Sequence, residues 1–338
     1  MAFGGVFMKL VRIELLTYNS RYMEMNKILL AIIALLIIGG GVYFVKSNTF
    51  IPSYEADKTD TSAAETVATE SEADTVTDES EEEQEVVEEE NEGETALGTS
   101  VEGRDITAYH FGEGEKEVVF VGGIHGGYSW NTALVAYQLI DYLRDTKDAV
   151  PEGVKVTVIP ALNPDGLKVA TGEVGKFRAS DVSSDPAVRT ASRFNANEVD
   201  LNRNFDCEWN AEATWQSRDV SGGSEPFSEP ESAAFKAYID SAKPAAVVAW
   251  YSAAGGVYAS NCKNGILPET TELMDVYADA SGYKAYSDFD FYEVTGDMVN
   301  WLAAESIPAI SVLLTTHADM EWEKNIAGIQ AILNNYKE

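Results

Sequence analysis

Positively charged residues are scarce in this sequence of 338 residues: 24 lysines and arginines stand against 56 aspartates and glutamates, for a formal net charge of −32. The basic residues form no dense cluster. Binding to nucleic acid depends on lysine and arginine neutralising phosphate charge, so this composition excludes nucleic acid as an expected partner. The negative charge is also uneven, since residues 55 to 94 contain 18 acidic residues and one lysine.

Cysteine is rarer still. The two cysteines, Cys207 and Cys262, allow one disulfide at most, and a disulfide persists only in an oxidising compartment. Two buried free thiols are the alternative, because cysteine is often buried for its apolar character alone. The sequence leaves both possibilities open.

A single long apolar run, ILLAIIALLIIGGGVYFV, occupies residues 28 to 45 between Lys27 and Lys46. About 20 such residues cross the hydrocarbon core as a helix, so the run predicts a transmembrane helix. A buried core helix would not normally stand alone beside a polar tail. A cleavable signal peptide would have a shorter apolar region and a small-residue cleavage site.

The charges around this run predict its orientation. The lysines and arginines before it are Lys9, Arg12, Arg21 and Lys27, whereas acidic residues dominate after it. The positive-inside rule therefore predicts a single-pass membrane protein with residues 1 to 27 in the cytoplasm and the rest outside. If Met25 is the true start, this orientation depends mainly on Lys27.

Residues 46 to 96 consist largely of Glu, Asp, Thr, Ser and Ala, with almost no aromatic residues. Such a segment cannot bury enough apolar surface to offset the entropy of ordering the chain. We therefore predict a disordered, self-repelling acidic tether that joins the membrane helix to a folded domain at residues 97 to 338.

Strands alternate with helices in the folded domain. Apolar runs predict strands at residues 117–123, 154–162, 245–251 and 309–314, and helical periodicity predicts helices at 131–143, 228–241, 296–305 and 321–336. This alternation predicts an α/β fold with a mixed, largely parallel central sheet flanked by helices on both faces. Ligands bind at the carboxyl ends of the strands in such folds, so the site should lie in the loops that follow Gly123, Leu162, Tyr251 and Leu314.

These loops contain an ordered set of motifs. They read GGIHGGYSWN at 122–131, NPDG at 163–166, RFNANEVDLNRNF at 193–205 and GGSEPFSEPES at 222–232, and GDMVNWLAAESIPAISVLL follows at 296–314. The set resembles the zinc carboxypeptidase family, in order and with matching spacing, over residues 97 to 338. The resemblance implies a carboxypeptidase-like fold.

The resemblance also indicates which residues should perform catalysis. A catalytic zinc is typically held by three His and Glu ligands with a water in the fourth position, and a separate glutamate takes the proton of that water. His125 stands at the first ligand position. Tyr128 and Ser129 stand where the second ligand belongs, Tyr251 stands at the third, and Leu313 stands at the position of the general base. None of these substitutes has the imidazole or carboxylate that zinc prefers, so we expect no zinc cofactor and no hydrolysis.

The remaining histidines do not replace the missing ligands. His110 precedes the site loops and is predicted to be a surface or edge-strand residue, and His317 is predicted to lie in the loop after the last strand. For His125 itself, the ring is predicted to hydrogen-bond to nearby backbone.

The substrate-binding half of the pocket is better preserved. The resemblance places Arg193, Asn202 and Arg203 at the positions that hold a peptide's C-terminal carboxylate and stabilise the oxyanion, and it implies that Tyr292 closes over substrate. Arginine pairs with a carboxylate through two parallel hydrogen bonds. Alternatively, the two arginines merely brace their loop through Asp200 or Asp206.

Three functions therefore stay open. The favoured one is a membrane-anchored, extracytoplasmic, inactive carboxypeptidase-like domain that binds the C-termini of peptides, such as cell-wall peptides. The second is an active zinc metallocarboxypeptidase in which His125 holds the metal with unexpected partners. The third is a structural or adhesion domain without a working pocket.

Overall fold

The structure, a computed structural model, describes residues 93–337. The predicted cytoplasmic segment, the predicted membrane helix at 28–45 and nearly all of the predicted tether lie outside these residues. None of the helices within 93–337 has the length and apolarity that crossing a membrane requires.

The described residues contain ten strands. They are β1 (Glu94–Thr99), β2 (Asp105–Phe111), β3 (Lys116–Val121), β4 (Val154–Ile159), β5 (Glu212–Trp215), β6 (Arg218–Ser221), β7 (Ala246–Ser252), β8 (Gly256–Ala259), β9 (Ala285–Tyr286) and β10 (Ala309–Leu314). Eight of them form one sheet in the order β1-β2-β4-β3-β7-β10-β8-β9, while β5 and β6 form a separate hairpin. The central strands β4, β3, β7 and β10 are parallel to one another, so the predicted mixed, largely parallel sheet is confirmed.

Seven α-helices accompany the strands in this part of the chain. They are α1 (Trp130–Asp145), α2 (Pro164–Thr171), α3 (Pro186–Ala191), α4 (Pro230–Ala242), α5 (Pro268–Ser281), α6 (Met298–Ala304) and α7 (Trp322–Tyr336). The eight strand and helix predictions each correspond to one of these elements: β3, β4, β7, β10, α1, α4, α6 and α7.

The helices cover both faces of the sheet because successive side chains of a strand point in opposite directions. In β3, Val118 and Phe120 join the core that contains apolar residues of α1, α5 and α7. Val119 and Val121 join the opposite core, with residues of α4 and α6. A strand buried on both faces has no polar side to display, which accounts for the unbroken apolar runs of β3 and β10.

The folded domain begins earlier than predicted. Strand β1 starts at Glu94, three residues before the predicted boundary at 97, and it pairs antiparallel with β2. The Glu94 carboxylate accepts a hydrogen bond from Arg144 at 2.6 Å, and the Thr95 hydroxyl lies 3.0 Å from Nε2 of His110. His110 is therefore on an inner strand of the sheet rather than an edge strand. The acidic composition of the preceding residues gave no indication of β1, which is stabilised by pairing with β2.

Cys207 and Cys262 form a disulfide, and both residues are buried. The bond joins the segment after the DLNRNF motif to the segment after β8, across 55 residues of sequence. Of the two possibilities that the sequence left open, the structure has the disulfide.

Candidate functional site

A pocket of about 700 Å³ lies at the carboxyl ends of β7 and β10. It is lined by eight of the nine predicted site residues: His125, Tyr128, Arg193, Asn202, Arg203, Tyr251, Tyr292 and Leu313. The ninth, Ser129, is buried at the N-terminus of α1 and does not line the pocket. Residues far apart in sequence therefore converge where the fold was predicted to bind ligands.

His125 reaches the pocket from the loop after β3. The next residue, Gly126, has φ +43°, and a Cβ there would lie 2.3 Å from the Ser192 carbonyl oxygen, so this tight turn requires glycine. The imidazole is 6% exposed, and neither ring nitrogen has a hydrogen-bond partner among the described residues. The predicted bond to local backbone is therefore wrong, because the turn directs the ring into the pocket. Burial, followed by the charges of Arg193 and Arg203, holds the pKa of His125 well below its ordinary value, so the ring is neutral.

Tyr128 is one of the two residues at the predicted position of the second metal ligand. Its ring centroid lies 4.8 Å from that of Trp215 and 4.5 Å from that of His317, in edge-on contacts. The Arg193 guanidinium carbon is 5.7 Å from the Tyr128 centroid. The hydroxyl of Ser129, the other candidate for this position, is buried without a partner in the described part of the chain. At the predicted position of the second ligand, the structure therefore has an aromatic ring in contact with other aromatic residues.

Tyr251 stands at the end of β7, where the third ligand is expected. Its hydroxyl donates a hydrogen bond to Oδ1 of Asn202 at 3.3 Å. Burial, followed by the negative charge of Asp297, raises the pKa of Tyr251 well above its ordinary value, so the group is a protonated phenol. A phenol that donates to an amide oxygen is a poor donor for a metal ion.

Leu313, at the predicted position of the general base, has an apolar side chain. Leu313 is 8% exposed on β10 and is paired with Tyr251 on β7. A leucine has no group that could accept a proton from water. The step that the family's glutamate performs therefore has no equivalent at this position.

These residues do not fit a catalytic zinc. Within residues 93–337 no three His, Cys, Asp or Glu side chains are grouped so that they could hold a metal ion. The carboxylate nearest to the imidazole, Asp200, has Oδ1 at 3.8 Å from Nε2 of His125, and it is already bonded to Arg193. A catalytic zinc needs three deprotonated nitrogen, sulfur or oxygen ligands, and of the three predicted ligand positions only that of His125 offers one. The second imidazole of the pocket, His317, belongs to no group in the described residues that could hold a metal ion.

The two arginines differ in their partners. Arg193 is 2% exposed, and its Nε and Nη2 lie 2.9 and 2.8 Å from Oδ2 of Asp200. Its guanidinium carbon also lies 4.3 Å from the ring centroid of Trp215. The predicted brace through Asp200 is therefore present for Arg193, and the aromatic contact adds a second support.

Arg203 has no such acidic partner. It is 1% exposed, and its Nε and Nη1 donate to the carbonyl oxygens of Thr214 at 3.0 Å and Asn202 at 2.6 Å. Among residues 93–337 no carboxylate oxygen lies within 4.0 Å of its guanidinium, so the predicted brace through Asp206 is absent. Arg203 is a buried cation that lines a pocket and is held by backbone alone.

Asn202 is occupied with internal contacts. Its Nδ2 donates to Oδ2 of Asp297 at 2.7 Å, and its Oδ1 accepts from the backbone N–H of Met298 at 3.1 Å as well as from Tyr251. Burial raises the pKa of Asp297, although the hydrogen bond from the backbone of Asn300, the charge of Arg203 and the bond from Asn202 act against this. The amide therefore joins β7 and the start of α6 to the arginine-bearing loop.

Sequence reasoning missed several residues of the pocket wall. Trp215 comes from the β5–β6 hairpin, and Tyr258, Phe289 and Phe291 line the wall near Tyr292. Strands of four residues carry too little periodicity to be recognised, and nothing in the sequence marks Trp215 as a partner of an arginine. His317 does lie in the loop after β10, as predicted, and its Nδ1 is 3.0 Å from Oγ of Ser252.

Comparison with known proteins identifies the family. The model of the zinc carboxypeptidase family, peptidase M14, matches residues 94–320. The catalytic chain of carboxypeptidase N from Homo sapiens is 32% identical over 124 residues, which are 32% of this chain and 25% of that protein. Carboxypeptidase Z from Rattus norvegicus is 29% identical over 123 residues, 32% of this chain and 18% of that protein. The matched region thus spans a quarter or less of these relatives.

Solved structures have the same fold. Murein-tripeptide amidase MpaA from Escherichia coli O157 gives a TM-score of 0.52 at 22% identity, covering 71% of this chain and 91% of that one. Bovine thrombin-activatable fibrinolysis inhibitor, in complex with tick carboxypeptidase inhibitor, gives a TM-score of 0.57 at 15% identity. The match covers 72% of this chain and 89% of that one. With the family match over most of the folded domain, the predicted resemblance is confirmed: this chain belongs to the zinc carboxypeptidase family.

Proposed function

We propose that this domain binds the C-terminal carboxylate of a peptide and does not hydrolyse the peptide. The observation that supports this most strongly is Arg203, a buried cation at the pocket wall with no carboxylate partner among residues 93–337. The buried carboxylate of Asp297 acts on Arg203 only through space, without a hydrogen bond or ion pair. Burying a charge that lacks a hydrogen-bonded counter-ion costs on the order of several kcal/mol. An anion bound in the pocket would offset that cost, whereas an apolar or cationic ligand would not.

Arg193 supplies the second half of the carboxylate site. Its Nη1 and the Nη2 of Arg203 donate no hydrogen bond to any residue that the structure describes. A guanidinium recognises a carboxylate through its planar fork of N–H groups. Asn202, whose amide is already engaged, serves mainly to hold this arrangement together. Tyr292 lies at the pocket wall, where it can cover a bound peptide.

The absence of hydrolysis follows from donor chemistry at three positions. Tyr128 contributes an aromatic ring, Tyr251 a protonated phenol and Leu313 an aliphatic side chain. Activation of water in this family needs a metal with three suitable ligands and a separate proton acceptor. The pocket retains one imidazole of that set.

We further propose that the domain is held outside the cytoplasm by one membrane helix at residues 28–45, through the acidic segment that follows. The lysines and arginines before residue 28 support this orientation. The buried Cys207–Cys262 disulfide agrees with an oxidising compartment. In bacteria such a placement would put the pocket beside the cell wall, so wall peptides with free C-termini are the first ligands to test.

The test is calorimetric titration of the full chain in detergent with one peptide in two forms, the free acid and the C-terminal amide. Losing a hydrogen-bonded charge is worth about 1.5–3 kcal/mol, so the free acid should bind about 10- to 100-fold more tightly. Arg203→Gln should remove this preference. Arg178→Gln is the matched control, because Arg178 is 83% exposed and does not line the pocket.

Two outcomes would contradict the proposal. Equal affinity for both forms, or binding of neither, would favour a structural or adhesion domain. Release of the terminal amino acid from the free acid would favour a working carboxypeptidase.

A further inference from the structure

The imidazole of His125 has hydrogen-bonding capacity that nothing in the described structure uses. Five buried side-chain atoms of residues 93–337 have no hydrogen-bond partner, and both ring nitrogens of His125 are among them. The other three, hydroxyls of Ser129, Ser260 and Thr270, belong to residues that do not line the pocket. An unsatisfied buried group costs about 1–3 kcal/mol, so two on one pocket residue require an explanation.

Internal partners do not explain it. The nearest carboxylate, Asp200, has Oδ1 at 3.8 Å from Nε2, beyond hydrogen-bond length. That same Oδ1 already accepts from the backbone N–H of Asn202 at 3.2 Å, while Oδ2 is bonded to Arg193. The hydroxyl of Tyr251 donates to Asn202 instead, and the centroids of the Tyr251 and His125 rings are 5.5 Å apart. A zinc ion does not explain it either, since the other ligands are missing.

The turn that presents the ring is rigid. The His125 carbonyl oxygen accepts from the backbone N–H groups of Tyr128 at 3.1 Å and Ser129 at 3.4 Å. A side chain at Gly126 would collide with the Ser192 carbonyl. The imidazole is thus held at the pocket wall before any ligand arrives, and binding through it would cost little conformational entropy.

We propose that His125 is a ligand-binding residue that donates a ring N–H hydrogen bond to the carboxylate held by Arg193 and Arg203. The inference rests on the proposed function, because it needs an anion between the two arginines. All three side chains line one pocket, and each has at least one N–H without a protein partner in the described region. The position that holds a metal in the family's enzymes would here contact the ligand directly.

His125→Phe separates a binding role from a structural one. It keeps a ring of similar size and removes both unsatisfied nitrogens, so the Tm of the variant should rise by about 2–4 °C, the shift expected for about 1 kcal/mol in a domain of this size. Its affinity for the free-acid peptide should fall about 10-fold, while its affinity for the amide is unchanged. A structural residue would show the opposite pattern, with lower stability and no selective loss.

The experiment uses the full chain in detergent and a short alanine-based peptide, as free acid and as amide, with and without EDTA. His125→Asn, which keeps a donor on a shorter side chain, should bind with intermediate affinity, and it decides the question if His125→Phe does not fold. Wild-type affinity for the free acid in either of these variants overturns the inference while leaving the proposed function intact. Equal binding of acid and amide by the wild type overturns the proposed function itself. Loss of binding in EDTA overturns the inference, because a metal ion rather than the ring N–H would then contact the carboxylate.

Discussion

The ring of Tyr128 lies 5.7 Å from the guanidinium carbon of Arg193, with Trp215 at 4.3 Å from the same carbon. Tyr128 is one of the two residues at the predicted position of the second metal ligand. Tyr251, at the predicted position of the third, bonds to Asn202, which in turn bonds to Asp297. Both substitutions are thus integrated into the internal contacts of the pocket, and they support the residues that we propose to bind a carboxylate.

Removing the Tyr128 ring should weaken this support. A cation–π contact at a desolvated site contributes up to about 2 kcal/mol, so Tyr128→Ala should lower the free energy of unfolding by about 1–2 kcal/mol and reduce free-acid affinity several-fold. Tyr128→Phe keeps the ring and is the control, with stability within about 0.5 kcal/mol of wild type. Urea denaturation and calorimetry check both. If Tyr128→Ala bound the peptide as tightly as wild type, the contact would have no part in positioning Arg193.

Restoring the donors should restore the metal. Tyr128→Glu together with Tyr251→His would supply two imidazoles and one carboxylate, the ligand set of several catalytic zinc sites, because both ring nitrogens of His125 are unengaged in the described structure. We expect zinc in the double variant and in neither single variant, measured by elemental analysis after dialysis. Stoichiometric zinc in the wild type or in a single variant would show that the missing donors are not what prevents metal binding.

The disulfide should contribute strongly to stability. It closes a loop of 55 residues, and the chain-entropy relation gives about 4 kcal/mol for a loop of that length. Cys207→Ser with Cys262→Ser should lower the unfolding free energy by about 2–4 kcal/mol. Denaturation of the wild type with and without a reductant provides the comparison, and identical curves would mean that the bond is dispensable.

Glu321 should make the free energy of unfolding depend on pH in the acidic range. Burial acts to raise its pKa, but hydrogen bonds from Lys324, from the backbone and hydroxyl of Thr315 and from Tyr283 outweigh burial. They lower the pKa from its ordinary value of 4.5 to about 2. A carboxyl whose pKa is lower in the folded state adds stability above its unfolded pKa and loses it as pH falls. The Glu321 contribution should therefore be complete above pH 4.5 and disappear towards pH 2.

Comparing wild type with Glu321→Gln isolates this effect from other carboxylates. The stability difference between the two proteins should be largest near neutral pH and should shrink steadily between about pH 4.5 and 2. Urea denaturation at several pH values measures it. A difference that did not change across this range would contradict the ionised, hydrogen-bonded state of Glu321.

Much of the fold was predictable because buried parallel strands carry long apolar runs. Strand β10, Ala309–Leu314, coincides with its prediction. The loops after Gly123, Tyr251 and Leu314 line the pocket as expected, whereas the NPDG loop after Leu162 does not. The start at Glu94 was not predictable, because the residues before it are acidic and the strand is stabilised by pairing with β2. The β5–β6 hairpin was missed because its strands of four residues carry too little periodicity.

The sequence predicted which residues form the pocket, but it did not predict which partners these residues contact. Ordered motifs identified His125, Arg193 and Arg203 as pocket residues, because motif order reflects the order of the loops. Which arginine has an acidic partner depends on where Asp200 and Asp206 come to lie after folding, and spacing alone does not determine this. The unpartnered ring of His125 likewise depends on a turn whose direction is set by Gly126.

The most direct test of binding without cleavage is to incubate the full chain with a free-acid peptide and zinc, then to measure both the bound metal and the mass of the recovered peptide. We predict substoichiometric zinc and a peptide of unchanged mass. Stoichiometric zinc together with a peptide shortened by its last residue would contradict the account.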